Sequence, residues 1–199
     1  MDKVRHEEIF SLMQYRKVRA DIRPSMIEVR RRLRVFVGPY VSLAFENHST
    51  ILHQIQEMVW AEAITDLARV REEIETYNAL IPNASELVAT MFIEIADLDE
   101  LRNTIPNLIA IENAVEIHLG GHSIITGIGE EDRSSEVRTS TVHYVKFLFE
   151  EEDLIKFQDL NLSAEIVVNH PYYNGRASIP DETRAILSSE LTTGNCPTP

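Results

Sequence analysis

The stretch "AFENHSTILHQIQEMVWAEAI", residues 44–64, carries two histidines and three glutamates around one predicted helix. Imidazole and carboxylate groups are common metal ligands. His53 and Glu57 are four residues apart and share one side of the helix, where they can supply two ligands or form a solvated pair. Glu62 lies about 140° from Glu57 around the helix, at about 100° per residue, so the two carboxylates cannot bind one ion together. The helix alone therefore does not build a metal site, and the solvated pair is the favoured interpretation of His53 and Glu57.

Three polar side chains interrupt apolar faces of predicted elements. Glu62 points toward the centre of the apolar arc of its helix. Glu94 shares a face of the strand "TMFIEIA" with Phe92, and His143 shares a face of "STVHYVKFLFE" with Phe147. Because buried polar groups need hydrogen bonds or a charged partner, we expect Glu62, Glu94 and His143 to lie inside the fold and to meet in one polar pocket, with or without an ion. For Glu62, pairing with an arginine of the N-terminal segment and a functional role both stay open.

The elements that must position these side chains change type along the chain. The first third has helical periodicity with a restart at Pro24, and further helices are predicted over residues 48–64 and about 66–79. The remainder is mostly strands, with hairpin turns predicted at Gly38-Pro39, Gly120-Gly121 and Asn174-Gly175. Because hairpin signals outnumber βαβ units, we predict an α+β fold in which N-terminal helices pack on a largely antiparallel sheet.

The chain of 199 residues is long enough for one domain, which we place at residues 1–191, followed by a flexible tail at 192–199. The N-terminal helical arm, residues 1–34, has a net charge of +5, whereas the remainder has −18, for −13 in total. An acidic body repels phosphates, so we do not expect nucleic-acid binding. The arm ends in a basic run that can bind an anion, formed by Arg30, Arg31, Arg32 and Arg34. The favoured interpretation is that this arm packs against the acidic body of its own chain or of a partner.

Composition excludes several classes of protein. No window holds the ~18 consecutive apolar residues of a membrane span, and the N-terminus has no apolar signal region. The single cysteine, Cys196, excludes an internal disulfide and a thiolate metal cluster. We therefore expect a cytoplasmic protein. The sequence also lacks the phosphate-binding, dinucleotide-binding, zinc-protease and nucleophile-elbow motifs. No reaction is indicated, and enzymatic activity stays an open question.

Four segments, "FENHSTILHQIQEMVWAE", "YNALIPNASELVATMFIEI", "RTSTVHYVKF" and "NHPYYN", resemble in this order the bacterial family known as domain of unknown function 3501. The resemblance runs from the N-terminal helix to "IPDETRAIL". Carried over position by position, it takes in Glu46, Asn47, Gln54, Glu57, Glu62, Glu94, His143 and Tyr144. His48 and His53 depart from the family pattern. Genes of this family often accompany rubrerythrin-like and iron–sulfur proteins, which implies a role in iron or peroxide metabolism.

Periodicity and the resemblance together leave a candidate metal-ligand set of Glu57, Glu62, Glu94 and His143. The first functional hypothesis is a non-enzymatic accessory or binding protein linked to iron or redox metabolism, with a redox or iron–sulfur protein as partner and self-association into a homo-oligomer. The alternative is a metal-dependent enzyme or metal carrier that uses this set to hold iron or zinc. A third hypothesis is an anion-binding module that uses the basic arm.

Overall fold

The computed structural model describes residues 1–130 and 140–193. Its α-helices are α1 (Leu12–Arg32), α2 (His48–Ala61), α3 (Leu67–Asn78), α4 (Leu98–Thr104), α5 (Glu151–Gln158) and α6 (Asp181–Thr193). Its strands are β1 (Arg34–Val37), β2 (Val41–Phe45), β3 (Glu86–Ile93), β4 (Val115–Leu119), β5 (Ser123–Gly129), β6 (Val142–Leu148), β7 (Ala164–His170) and β8 (Tyr173–Ser178). Short 3-10 turns lie at His6–Glu8, Ile105–Asn107 and Ile111–Ala114. Within these residues no helix combines the length and the apolar character needed to cross a membrane. The predicted tail begins inside α6, and Cys196 lies outside the described residues.

The strands of the described chain form one sheet in the order β1-β2-β3-β6-β5-β4-β7-β8, and every neighbouring pair is antiparallel. The sheet curls until its edge strands β1 and β8 contact each other, so its shape is nearly a barrel. Such curling covers the unpaired edges that an open sheet would expose. The predicted α+β class and the antiparallel sheet are confirmed.

Hydrogen bonds of Tyr173 stabilise the contact between the edge strands β1 and β8, which we call the seam. The Tyr173 hydroxyl donates to the Val37 carbonyl and accepts from the Val41 N–H at 3.2 Å. Gly38, at φ +70°, makes room for it, because a Cβ there would lie 2.7 Å from the Tyr173 hydroxyl oxygen. A Cβ at Gly175 would lie 3.1 Å from the Val37 carbonyl oxygen. Two glycines therefore allow the edge strands to approach each other.

The predicted turn at Asn174-Gly175 is wrong. The β7–β8 turn lies at Pro171-Tyr172, and Asn174 and Gly175 are inside β8. Asn-Gly is a common turn pair, but here the glycine serves the close approach of two strands rather than a reversal of the chain.

The described residues form two apolar cores. The larger lies inside the curled sheet, and its members include Val115, Ile117, Leu119, Val145 and Phe147. The second lies among the N-terminal helices and contains Ile51, Ile55 and Val59 of α2 with Val70 and Ile74 of α3. Helix α2 contacts both α1 and α3. The N-terminal helices thus share a core of their own, and their predicted packing on the sheet is not confirmed.

Helix α1 is continuous through Pro24, so the predicted restart at this residue is wrong. A proline in a helix removes one backbone hydrogen bond and usually bends or ends the helix. The next residue, Ser25, donates its hydroxyl to the Ile22 carbonyl at 2.7 Å. At the start of the helix, Ser11 and Gln14 form a reciprocal capping box that satisfies two N–H groups.

A buried arginine joins α6 to the end of α5. Arg184 is 2% exposed and donates to the carbonyl oxygens of Lys156, Phe157, Asp159 and Leu162 at 2.5–2.9 Å. These carbonyls lie at and just beyond the C-terminus of α5, where the helix dipole favours a cation. The guanidinium also lies 5.4 Å from the centre of the Phe157 ring. Arg184 therefore caps one helix from another.

Candidate functional site

The carboxylate of Glu57 accepts hydrogen bonds from residues of α1. Its Oε1 accepts from the Tyr15 hydroxyl at 2.6 Å and from Arg19 Nε at 2.8 Å, and its Oε2 accepts from Arg19 Nη2 at 2.8 Å. The hydrogen bonds from Arg19, and then from Tyr15, lower the pKa of Glu57 to about 2. Trp60 packs edge-on against Tyr15, with the Arg19 guanidinium 5.6 Å from its ring centre. The interpretation of Glu57 and His53 as a solvated pair is therefore wrong, because Glu57 fastens α1 to α2.

Glu62 does not join the apolar stripe of α2, because the helix ends one residue earlier. Ala63 adopts φ +50°, and the N–H groups of Ala63 and Ile64 donate to the carbonyls of Trp60 and Val59. This is a Schellman motif, which turns the chain away from the helix axis. The Glu62 side chain is 45% exposed and pairs with Arg69 at 3.1 Å. Its predicted burial is wrong.

Glu94 and His143 lie on opposite faces of the sheet. His143 is opposite Met91 in the β3–β6 register and points into the barrel, whereas Glu94 follows the end of β3 on the face of Phe92. The Glu94 side chain is 47% exposed, and its Oε2 accepts from Arg34 Nη2 at 2.7 Å. The prediction that Glu62, Glu94 and His143 meet in one pocket is therefore wrong.

His143 itself is buried, as predicted, at 1% exposure. Its Nδ1 lies 3.3 Å from Oε2 of Glu112, which is also buried, and its Nε2 lies 2.7 Å from the Ser140 carbonyl oxygen. Glu112 comes from the 3-10 turn before β4, and no sequence pattern had connected it with His143. Among residues 1–130 and 140–193, no three His, Cys, Asp or Glu side chains are grouped so that they could hold a metal ion. Metal binding by Glu57, Glu62, Glu94 or His143 stays a prediction.

The four arginines of the predicted anion site point to different partners. Arg31 pairs with Glu28 of its own helix at 2.6 Å, Arg32 with Glu182 of α6 at 2.6 Å, and Arg34 with Glu94 at 2.7 Å. Two of these pairs join the arm to carboxylates of the acidic body, in line with the favoured interpretation of the arm. Arg30 differs, since within the described ranges it pairs with no carboxylate.

Arg30 shares a contact residue, Thr50, with a buried carboxylate that the periodicity arguments did not select. Glu46 follows β2 and is 5% exposed. Its Oε2 accepts from the Thr50 hydroxyl and its Oε1 from the Thr90 hydroxyl, both at 2.6 Å. Arg30 Nη2 donates to the Thr50 carbonyl at 2.9 Å and reaches Gln54 Oε1 at 3.5 Å. Thr50 therefore contacts both the guanidinium and the carboxylate.

The turn from β2 into α2 explains why Glu46 lies here. Asn47 caps α2, with its Oδ1 accepting from Thr50 N and its N–H donating to Thr50 Oγ1, each at 2.9 Å. This capping box places Thr50 over the end of β2. Thr90 comes from the adjacent β3, where it is opposite Ala44, two residues before Glu46 and on the same face. One helix cap and one strand register thus bring both hydroxyls to the carboxylate.

Glu46 and Arg30 line the same cavity, together with residues of α2, α3, β3 and β6. Its volume is about 160 Å³. Its polar wall is formed by Arg30, Glu46, Gln54, Tyr77, Thr90 and Tyr144, and the remaining wall is apolar. In the described part of the chain, Arg30 and Glu46 form no ion pair with each other. We call this cavity the Glu46 cavity; Glu46, Gln54 and Tyr144 are also positions that the family resemblance takes in.

A second carboxylate adjoins the Glu46 cavity through the helix cap. Asn47 Nδ2 donates to Glu190 Oε1 of α6 at 2.6 Å. Burial raises the pKa of Glu190 to about 7, although the hydrogen bond from Asn47 opposes the shift. The cap of α2 is thus linked to a group that changes charge near neutral pH.

Comparisons with known proteins give a family and a fold. A crystal structure of a novel protein of unknown function from Burkholderia pseudomallei K96243 is similar to this chain, with 28% sequence identity and a TM-score of 0.88. The match covers 96% of this chain and 100% of the other. No curated protein matches. The model of the family described as protein of unknown function (DUF3501) matches residues 3–191. The chain therefore belongs to the DUF3501 family.

Proposed function

We propose that this protein is a non-enzymatic binding protein that holds a small polar molecule in the Glu46 cavity. One observation carries the proposal: a buried carboxylate and a guanidinium share a cavity without pairing with each other. Small-molecule sites are likewise concave and contain polar groups that orient the ligand.

The energetics of burial support a ligand. A carboxylate taken out of water needs charged or hydrogen-bonding partners, and each unmet partner costs about 1–3 kcal/mol. A carboxylate has about four acceptor sites, and the described hydrogen bonds of Glu46 use two of them. Both described hydrogen bonds of Arg30 use Nη2, although a guanidinium has five N–H donors. Both groups therefore retain hydrogen-bonding capacity that a bound molecule can use.

The wider role is an accessory function in iron or redox metabolism, in the cytoplasm, with a redox or iron–sulfur protein as partner. This part of the proposal is supported by the family resemblance alone. It predicts that occupancy of the Glu46 cavity changes the affinity for that partner, because residues of α2 line the cavity.

A thermal-shift screen of small polar metabolites tests the binding function. We expect at least one compound to raise the melting temperature of the wild-type protein, since a ligand that binds only the folded state stabilises it. Glu46→Gln and Arg30→Gln should abolish that rise. Arg31→Gln is the matched control, because Arg31 is 67% exposed and pairs within its own helix. A screen without a stabilising compound, or stabilisation that survives both cavity variants, would overturn the proposal.

A further inference from the structure

We infer that the molecule bound in the Glu46 cavity is a small zwitterion, namely a short aliphatic amino acid of the size of glycine, alanine or β-alanine. This inference rests on the proposed function and names its substrate class. The charges of the cavity are its basis. Arg30 supplies one positive group and Glu46 one negative group, so the site is balanced only by a ligand that carries both signs.

A ligand with a single charge leaves one of these groups without a charged partner. A plain carboxylate can pair with Arg30 but would be repelled by Glu46. A plain ammonium ion can pair with Glu46 but leaves the guanidinium unmatched. Glu46 is 5% exposed, and a buried charge without a charged partner is destabilised, so the cavity favours a ligand that carries both signs.

Arg30 and Glu46 contact the same residue. Arg30 Nη2 is 2.9 Å from the Thr50 carbonyl oxygen, and Glu46 Oε2 is 2.6 Å from the Thr50 hydroxyl oxygen. Both groups also line one cavity of about 160 Å³, so a short ligand with oppositely charged ends can contact both of them.

The volume favours a small ligand. At about 160 Å³ the cavity is close to an engineered cavity of about 150 Å³ that binds benzene, a molecule of six heavy atoms. Glycine, alanine and β-alanine have a similar number. The apolar part of the wall, which includes Ile51, Phe92 and Val142, can cover a methyl or methylene group.

The test is calorimetric titration of the full-length protein with five probes: glycine, alanine, β-alanine, acetate and methylammonium. We expect at least one amino acid to bind at least ten times more tightly than acetate and methylammonium. Glu46→Gln and Arg30→Gln should each weaken that binding at least tenfold, whereas Arg31→Gln should leave it unchanged. The comparison among probes uses the wild-type protein, so it holds even if a cavity variant fails to fold.

The outcomes separate this inference from the function on which it rests. If acetate binds as tightly as the amino acids, and Arg30→Gln but not Glu46→Gln abolishes its binding, the cavity is an anion site. The zwitterion is then refuted, while a binding function remains. If none of the five probes binds but another metabolite does, only the substrate class fails. If neither the probes nor any metabolite binds, both proposals are refuted.

Discussion

Replacing Glu57 with glutamine should loosen the attachment of α1 to α2. Glutamine can still accept the hydrogen bond from the Tyr15 hydroxyl, but it loses the two-point ion pair with Arg19. A fall of the pKa from 4.5 to about 2 corresponds to at most about 3 kcal/mol of folding free energy. Because both side chains are about a quarter exposed, solvent screening reduces this value, and we expect a loss of about 1–2 kcal/mol at pH 7.

The loss of stability caused by Glu57→Gln should depend on pH. Glu57 has a lower pKa in the folded than in the unfolded protein, so its contribution is complete above about pH 4.5 and is lost as the pH falls toward 2. The difference between the wild-type protein and Glu57→Gln should therefore shrink over that range. Urea denaturation at several pH values measures it, and a double-mutant cycle with Arg19→Gln isolates the pair.

Glu62→Gln is the matched control, since Glu62 is a neighbouring carboxylate whose partner, Arg69, is largely exposed. We expect this variant to lie within about 0.5 kcal/mol of the wild-type protein. The reasoning fails if Glu57→Gln is as stable as Glu62→Gln, or if its stability keeps the wild-type dependence on pH below 4.5. A loss of bound metal without a loss of stability would instead favour the earlier hypothesis of Glu57 as a metal ligand.

Three further predictions concern stability measured by urea denaturation. Arg184→Met should lower the free energy of unfolding by about 3–5 kcal/mol, because the carbonyl groups at the end of α5 lose their buried donor. A loss below about 1 kcal/mol would contradict the role of Arg184 as the cap of α5. Glu190 has a raised pKa in the folded protein, so its carboxyl group destabilises the fold increasingly as the pH rises from about 4.5 to 7. Glu190→Gln should therefore be more stable than the wild-type protein by about 2 kcal/mol at pH 8 and equal to it near pH 4.5. Equal stability of the two proteins at both pH values would refute the shift of the pKa. Gly38→Ala should lower the free energy of unfolding by at least about 1 kcal/mol more than Gly121→Ala. Both glycines have positive φ, but only a Cβ at Gly38 would meet Tyr173. Equal losses of stability in the two variants would show that the contact between β1 and β8 tolerates the methyl group.

Local patterns in the sequence determined local structure well. The hairpins at Gly38-Pro39 and Gly120-Gly121 form as expected, because glycine with positive φ suits tight reversals of the chain. Alternation along "STVHYVKFLFE" correctly predicted that His143 is buried, since successive strand residues face opposite sides. The α+β class followed from the same periodicities. Each of these inferences depends only on residues that are neighbours in the sequence.

Local patterns did not predict where a helix ends or which face of the sheet is covered, and the predictions that depended on these features were wrong. Glu62 matched the apolar arc of α2, but the Schellman motif ends the helix first. Glu94 lies on a face whose strand residues are apolar, yet that face is open enough at the strand end for Arg34 to reach it. Whether such a face is covered depends on which element packs over it, and its own residues do not contain that information.

Contacts between residues that are distant in the sequence set which polar groups meet. Glu112 and His143 are 31 positions apart in the sequence, and Thr90 lies 44 positions from Glu46. The family resemblance included Glu46 among its positions, but nothing in the local sequence connected it with Arg30. Pairings between distant residues arise from the register of the strands and from the packing of α1 against α2. Burial of the two apolar cores determines both the register and this packing. Residue patterns therefore predicted most of the helices and strands, whereas the Glu46 cavity arises from the packing of those elements.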